Sequence, residues 1–534
     1  MSGPENPADL SSKADGQPPK QHKPIIWIAA GLAIWLLLQA AYHFFDIRIW
    51  SVDINVPLRQ TLELVDLGRF SLTGNPLDGA QAVQASGIAM GPLGYMLFAL
   101  PLLISRDIHS IYYFLTLMNL PAILIFWLAC GRLNSRGPFR WVASALFAFQ
   151  PMLIPFSAEH MFLQPLFLAV MFLFFVMANQ GREWAIPLLY MFTGICVQLH
   201  PSSALLLVPI VVVSIIKRKS WIRWLAYTGL GVLLLAATNT TVLAAMIDSN
   251  AAGQGLRTGS LMQHSLEHIS AAAYFKMLLI FLVFGPLCFG IVGPFFVYPA
   301  LVRSPRTMRT FPDHRPLIWA ALSLVAVDAL VLPVLFAIKG APLIYYLAPL
   351  SILIIPLIGL DFQRIWEQRD RSMKRLKNRL WALAVMIMLL PACLIGAFEV
   401  CPDHWLACHD QITSFRLGDF IRIGDKMVRT IDSENLHDVQ LTEARYRYEE
   451  CELMLNWSSS DTLDSLLLYQ HPRLRGILRS EVSSEIEVRI WPVNDAAAIP
   501  PLDNADLQEI FGWGCLNCAI YLRREGVEDN SAFR

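Results

Sequence analysis

The chain has 534 residues, of which 55% are hydrophobic and 16% are charged, and its mean hydropathy is +0.47. Soluble domains carry about 25% charged residues, so this composition excludes an ordinary soluble protein and is typical of a polytopic membrane protein. The 42 basic residues balance the 42 acidic ones, which removes the positive excess that nucleic-acid binding requires.

Three parts of the sequence differ in composition. Residues 1–24 are rich in Pro, Ser, Gly and charge, so we expect a disordered cytoplasmic tail. Residues 25–398 are predicted to form a mostly α transmembrane helix bundle with outer juxtamembrane helices. Residues 399–534 are polar and show strand-like alternation at 485–492 and again at 519–524, which predicts a small C-terminal α/β domain.

Eleven apolar segments have about the length that a spanning helix needs. They lie at 25–45, 108–131, 139–157, 161–179, 183–199, 201–216, 223–245, 276–301, 317–338, 341–360 and 379–398. A further apolar stretch, 92–104, is too short to cross comfortably, so its placement depends on the charges of the loops.

Four loops are rich in Lys and Arg, namely 132–140, 217–223, 302–316 and 361–379. All four share the cytoplasmic side, as the positive-inside rule requires, only if 92–104 does not cross. We therefore predict that 92–104 is an interfacial or re-entrant helix on the outer side. The N-terminus is then inside, and the loops 46–107 and 246–275 and the C-terminal domain are outside.

The outer loop 46–107 is the first candidate for a functional site. It lies next to strongly apolar segments but carries several carboxylates and arginines, among them Asp53 and Arg59. Long connections are usually functional, so we interpret this loop as the floor of an active site. The alternative for Asp53 is a helix cap or an ion pair with Arg59.

Two further outer turns carry ionisable side chains. Glu159 and His160 lie at the junction of two spans, where such a pair lines a water-filled cavity or forms a solvated loop tip. His200 is either a hydrogen-bonding group at a helix end or part of the same cavity.

The loop 246–275 contains two histidines spaced by four residues. On a helix, His264 and His268 share one face, which suits either a divalent metal or a solvated surface. Arg257 is the only arginine of this loop and is a candidate to bind an anionic group.

The outer end of a later span carries Lys339, with Tyr345 and Tyr346 close behind it. The lysine either extends to the membrane interface or meets a phosphate. The tyrosines fit an interfacial belt in both cases.

Several cysteines lie in the C-terminal part, which indicates an oxidising compartment and disulfides. The preferred pair is Cys401 with Cys408. Cys515 and Cys518 form a CxxC motif, which we interpret as a structural bridge rather than a redox site or half of a zinc site, because the chain has no second CxxC.

Taken together, these residues resemble the GT-C superfamily of polytopic glycosyltransferases, in the branch of the aminoarabinose transferases and protein O-mannosyltransferases. Asp53 stands where the family has its catalytic acidic residue. The segment 90–104 is similar to the family's Pro-Leu-Tyr-rich helix, and 157–165 occupies the place of its second acidic motif. The segment 337–350 looks like its Lys-Gly-x-Pro-x-Tyr segment.

The resemblance implies that a sugar is moved from a polyprenyl-phosphate carrier to a glycan, lipid or protein acceptor outside the membrane, with inversion. Asp53 would be the general base, and cationic residues would stabilise the departing phosphate. The residues that the resemblance assigns to substrate binding are Arg59, Glu159, His160, Arg257, Lys339, Tyr345 and Tyr346. The only cofactor suggested is a divalent metal, and the location implied is the bacterial cytoplasmic (inner) membrane.

Two other classes of function fit the sequence. A transporter or flippase of lipid-linked glycans would also have many spans, but the apolar segments are almost free of charge, with Asp328 an exception, and no internal repeat is evident. The other class is a non-catalytic membrane scaffold for the C-terminal domain.

Overall fold

The described part of the chain, in a computed structural model, is mostly helical. It comprises residues 30–37, 49–70, 92–107, 109–134, 138–150, 164–241, 243–244, 270–286, 293–339, 347–368, 374–380, 382–383, 414–436, 439–448, 451–454, 470–476, 484–492, 506–513 and 516–524. The tail 1–24 lies outside these ranges, so its predicted disorder stays a prediction.

In the first half of the chain, residues 30–37 are helical, and one short strand and eight further α-helices follow within the described residues. They are β1 (Ile49–Ser51), α1 (Val52–Leu67), α2 (Leu93–Ile104), α3 (His109–Leu133), α4 (Phe139–Ala148), α5 (Gln164–Asn179), α6 (Ala185–Leu199), α7 (Leu207–Ile216) and α8 (Trp221–Thr238). A 3-10 helix, Pro201–Leu206, joins α6 to α7.

The second half adds helices and then strands. They are α9 (Ala271–Phe284), α10 (Gly293–Val302), α11 (Ser304–Thr310), α12 (Arg315–Lys339), α13 (Ala348–Glu367), β2 (Ser414–Arg416), α14 (Leu417–Ser433), β3 (Val439–Tyr448), β4 (Cys451–Met454), β5 (Ser484–Pro492), β6 (Asp506–Trp513) and β7 (Leu516–Arg524). Residues 374–380 are also helical.

Four helices in the described ranges are long and apolar enough to cross a membrane. They are His109–Leu133, Trp221–Thr238, Pro312–Val334 and Pro349–Glu367. These helices indicate a membrane protein and coincide with four of the eleven spans expected from the sequence. The other seven spans stay predictions.

One predicted span is described only in two parts. The sequence predicts a single span over 276–301, but α9 ends at Phe284 and α10 begins at Gly293. Gly285 caps α9, and Pro286 follows at once. Proline cannot donate a helical hydrogen bond, and residues 285–286 form a 3-10 turn at the end of α9.

The centre of the bundle is α13, of which 94% of the spanning window is buried. It lies against α4, where a Cβ atom on Gly359 would come within 3.0 Å of the ring of Phe139. The side chain of Gln363 accepts a hydrogen bond from the backbone N–H of Phe139 at 3.3 Å. Both contacts hold α13 close to the start of α4.

An aromatic layer joins three neighbouring helices of the bundle. The rings of Phe126 and Phe147 stack with their centroids 4.2 Å apart, and the ring of Phe172 stacks on the other side of Phe126 at 5.0 Å. All three side chains are fully buried. Such stacked pairs add stability beyond simple burial, so this layer fixes α3, α4 and α5 together.

The peripheral helix α8 packs on α6 through small residues. Gly231 is the only buried residue of α8, and a Cβ atom there would lie 2.6 Å from the ring of Tyr190. Small residues allow helices to approach closely in membranes. The rest of α8 exposes large apolar side chains such as Ile222 and Leu233, as a lipid-facing helix does.

The C-terminal strands form a mixed sheet. Its order is β4-β3-β5-β7-β6, with β3 parallel to β5 and the other neighbours antiparallel. The two stretches with strand-like alternation lie in β5 and β7. A separate α/β domain outside the membrane stays a prediction.

Candidate functional site

The candidate site begins where β1 passes directly into α1. β1 ends at Ser51 and α1 starts at Val52, so Asp53 is the second residue of the helix. The N-terminus of a helix carries a partial positive charge that stabilises a carboxylate in the first turn. The backbone of Asp53 therefore lies in the part of α1 where this partial positive charge is found.

A distant part of the chain pairs with the strand that leads to Asp53. β1 and β2 are antiparallel, with Trp50 opposite Phe415 and Ser51 opposite Ser414. α14 starts directly after β2. This two-stranded ribbon holds the start of α1 beside the start of the C-terminal part.

The helices α1 and α2 pack against each other. Leu58 and Leu62 of α1 and Phe98 of α2 are fully or almost fully buried. Thr61 donates a hydrogen bond from its hydroxyl to the backbone carbonyl of Tyr95 at 2.8 Å. A buried hydrogen bond of this kind fixes the rotation of one helix against the other as well as their distance.

The far ends of the two helices are also fastened. Gly68 adopts a φ of +64° and its N–H bonds back to the carbonyl of Leu64, which is the usual glycine-dependent helix end. Just beyond α2, Arg106 forms an ion pair with Asp66 of α1. The α1–α2 pair is thus held at the C-terminal ends of both helices and at Thr61.

Most of the substrate-binding candidates fall outside the described residues. The structure gives only the backbone of Asp53 and Arg59 in α1 and of Lys339 at the end of α12. Not described are Glu159, His160, Arg257, Tyr345 and Tyr346. Whether these groups meet around Asp53 stays a prediction.

The metal and disulfide predictions are untested in the same way. His264, His268, Cys401, Cys408 and Cys515 lie outside the described residues, and Cys518 is described only as part of β7. Within the described ranges, no group of three or more His, Cys, Asp or Glu side chains is arranged to hold a metal ion.

Of the two alternatives for His200, the structure shows the hydrogen-bonding group at a helix end. The side chain is buried, and its Nδ1 lies 2.7 Å from the hydroxyl of Ser202 and accepts the N–H of Ser202 at 3.3 Å. His200 thereby caps the 3-10 helix that follows α6. This turn needs the imidazole for its own hydrogen bonds.

A buried ionic cluster in the C-terminal half of α13 was not predicted from the sequence. Asp361 is fully buried, and its Oδ1 accepts a hydrogen bond from Arg364 Nη2 at 2.6 Å. Its Oδ2 lies 2.6 Å from Arg379 Nη2 and 3.8 Å from Arg303 Nη1. The only signal of this cluster in the sequence is the i, i+3 spacing of Asp361 and Arg364, because Arg303 and Arg379 come from other segments of the chain.

The chain was compared with known proteins at three levels. No family model matches it, and no curated protein and no solved structure matches it either.

Proposed function

We propose that the protein is an inverting glycosyltransferase that takes a sugar from a polyprenyl-phosphate carrier at the outer face of the bacterial cytoplasmic membrane. Asp53 is the general base in this proposal. The acceptor is a hydroxyl group of a glycan, lipid or protein.

The observation that carries the proposal is the fixed, short α1–α2 pair with Asp53 in its first turn. At about 1.5 Å per residue, the 12 residues of α2 extend over roughly 18 Å, well short of a bilayer core of about 30 Å. The backbone of Asp53 belongs to a helix that is fastened to α2 at Thr61 and Asp66, and a catalytic base needs such a fixed support.

The connection to α3 supports an outer location for this pair. α3 starts at His109, shortly after α2 ends, and finishes beside Arg132 and the basic loop 132–140. If that basic loop is cytoplasmic, α1 and α2 are at the outer end of α3. The pairing of β1 with β2 then favours the same side for the C-terminal part.

In the proposed reaction, the acceptor oxygen forms a bond to the anomeric carbon while the bond from that carbon to the carrier phosphate breaks. The hydroxyl proton passes to the carboxylate of Asp53, and the polyprenyl phosphate leaves with the bonding electron pair. Arg257 and Lys339, with Arg59 as a further candidate, would stabilise the negative charge of the leaving group.

The other candidates have secondary roles in this proposal. Tyr345 and Tyr346 would line the groove for the lipid chain, and Glu159 and His160 would orient the acceptor or a metal. A divalent metal at His264 and His268 is not required for any step. The finer topology of eleven spans with an external α/β domain at 399–534 belongs to the same proposal.

The test is an Asp53→Asn variant, assayed in membranes supplied with polyprenyl-phosphate hexoses and pentoses. Because the amide cannot accept the hydroxyl proton, transfer should fall by about 100-fold or more. The measurement is the rate at which polyprenyl phosphate is released together with glycosylated acceptor.

Glu63→Gln is the matched control, since it removes one carboxylate from the same helix. It should keep near-normal transfer. Full activity in a correctly inserted Asp53→Asn protein, or an equal loss in both variants, would show that Asp53 is not the base.

A second candidate function has one specific observation in its favour. Asp328 is buried in the middle of α12, and its Oδ1 has no hydrogen-bond partner among the described residues. Intramembrane carboxylates are costly and often mark ion or proton pathways, which favours the transporter alternative.

The two functions predict different results for Asp328→Asn. A transporter should lose flipping of a fluorescent lipid-linked glycan in proteoliposomes, whereas a transferase should keep its transfer rate. If Asp328→Asn abolishes flipping and leaves folding unchanged, the transporter function is favoured over the transferase function.

A further inference from the structure

The cluster around Asp361 has an unbalanced charge. One carboxylate faces three guanidinium groups, those of Arg303, Arg364 and Arg379. The side chains of Arg364 and Arg379 are only 8% and 9% exposed, and that of Asp361 is not exposed at all. The described residues therefore leave an excess of two positive charges, of which at least one is buried, because Arg364 and Arg379 are both buried and Asp361 can neutralise only one charge.

Such an excess is expensive unless another anion neutralises it, because buried ions need partners. The neighbouring segment 369–373, which the structure does not describe, contains a single carboxylate, Asp370. That group alone would cancel at most one of the two charges. Glu367 is exposed, and its side chain accepts a hydrogen bond from Gln363 at 2.8 Å.

The buried arginines also have N–H donors without hydrogen-bond partners among the described residues. In the described part of the chain, Nε of Arg364 and Nη1 of Arg379 have no hydrogen-bond partner. The Nη2 of Arg379 is close to Asp361 but is not aligned with it as a hydrogen bond. Arg303, at 3.8 Å, is beyond hydrogen-bond distance of the carboxylate. Three guanidinium groups around one point match the several oxygens of a phosphate.

We propose that Arg303, Arg364 and Arg379 form a binding site for a phosphate group beside Asp361. This inference is independent of the glycosyltransferase proposal, because it concerns the end of the bundle marked by the basic loops 302–316 and 361–379. By the positive-inside rule that end faces the cytoplasm.

The surroundings favour the headgroup of an anionic lipid over free phosphate. Arg303 is 28% exposed and gives the cluster an open edge. Next to the arginines in the chain, Val302 and Leu380 are exposed apolar residues suited to acyl chains. Lys374 and Lys377 are exposed on the helix that carries Arg379 and would attract anionic headgroups to this surface.

The test uses the full-length protein in a neutral detergent. Its unfolding temperature is measured with added phosphatidylglycerol, with phosphatidylcholine, and with inorganic phosphate, and retained lipids are counted by native mass spectrometry. Phosphatidylglycerol should raise the unfolding temperature above the value in phosphatidylcholine, and at least one molecule should be retained.

Two variants locate the site. Arg379→Gln and Arg303→Gln should each weaken phosphatidylglycerol binding by about tenfold or more, since each removes a charged donor. Arg309→Gln is the matched control, because Arg309 is an exposed arginine of the same loop outside the cluster. It should bind the lipid as the unchanged protein does. Arg303 is partly exposed, so its variant keeps the test open if Arg379→Gln does not fold.

The possible results separate the sources of the phosphate. If inorganic phosphate alone gives the same arginine-dependent stabilisation and phosphatidylglycerol adds nothing, the site binds free phosphate. The proposal is overturned if neither anion stabilises the protein. It is also overturned if the Arg303 variant keeps the full response to phosphatidylglycerol, or if the Arg309 variant loses it to the same extent.

Discussion

Two candidate spanning helices, α8 and α13, have the same mean hydropathy and opposite surroundings. Of their spanning windows, 6% is buried in α8 and 94% in α13. Hydropathy measures how well a helix tolerates lipid, and it does not distinguish a helix at the edge of a bundle from one at its centre. The distinction lies in the positions of the polar and small residues.

Three polar residues of α13, Asp361, Gln363 and Arg364, lie inside the protein and have partners there. Asp361 and Arg364 are paired with each other, and Gln363 bonds the backbone of Phe139. The single charged residue of α8, Arg223, is instead exposed near the start of that helix. Polar groups on α13 therefore specify its neighbours, and side chains on α8 mostly meet lipid.

The largest effect is expected at Asp361. Asp361→Asn leaves Arg364 and Arg379 buried without their counter-charge and should lower the free energy of unfolding by about 3–5 kcal/mol. Reversible unfolding in bicelles measures this change. Glu367→Gln, on an exposed position of the same helix, should change stability by less than about 0.5 kcal/mol. Equal effects would contradict the central role of the Asp361 cluster.

A second comparison uses the same substitution on both helices. Leu357 of α13 is 0% exposed and Leu233 of α8 is 68% exposed. Leu357→Ala leaves a cavity and should cost about 1–2 kcal/mol, because lipid is as apolar as leucine and mainly the packing loss remains. Leu233→Ala should be close to neutral. The free energies of unfolding of the two variants are measured in the same bicelles. Equal losses would show that burial in the bundle does not set the cost of the substitution.

The third comparison tests the close packing of α8 at Gly231. Gly231→Val would place side-chain atoms against Tyr190 and should cost about 1–3 kcal/mol. Gly229 lies two residues earlier on the same helix and would meet nothing within 4 Å, so Gly229→Ala should be neutral or slightly stabilising. If both substitutions were tolerated, α8 would not dock through Gly231. Thermal unfolding of the two variants is sufficient as a measurement.

The sequence predicted the membrane character and several element positions because these depend on local patterns. Apolar runs gave α3, α8, α12 and α13 to within several residues of their ends, and the short helix at 92–104 appears as α2. Alternation of period two marked the stretches that lie in β5 and β7.

Other features depend on contacts between distant residues, and no local pattern reports them. The three-residue strands β1 and β2 are too short for a periodic signal and are stable only when paired. The neighbours of Asp361 come from three separate segments, so only Arg364 is visible from spacing.

For the candidate site, the residues were predicted from the sequence, and the structure shows how the helix that carries one of them, Asp53, is fixed. Asp53 is placed in the first turn of α1, and α1 is fastened to α2 through Thr61 and Asp66. The partners proposed for Asp53 stay predictions that rest on the resemblance.

The pairing of β1 with β2 has a consequence for biogenesis. During synthesis Trp50 leaves the ribosome early, but its partner Phe415 follows only after the described helices of the bundle have been made. A contact between such distant segments forms late and slowly. In a nascent chain the strand before Asp53 therefore stays unpaired until residue 415 has been made, so the transferase proposed here would acquire this support of its site late in its own synthesis.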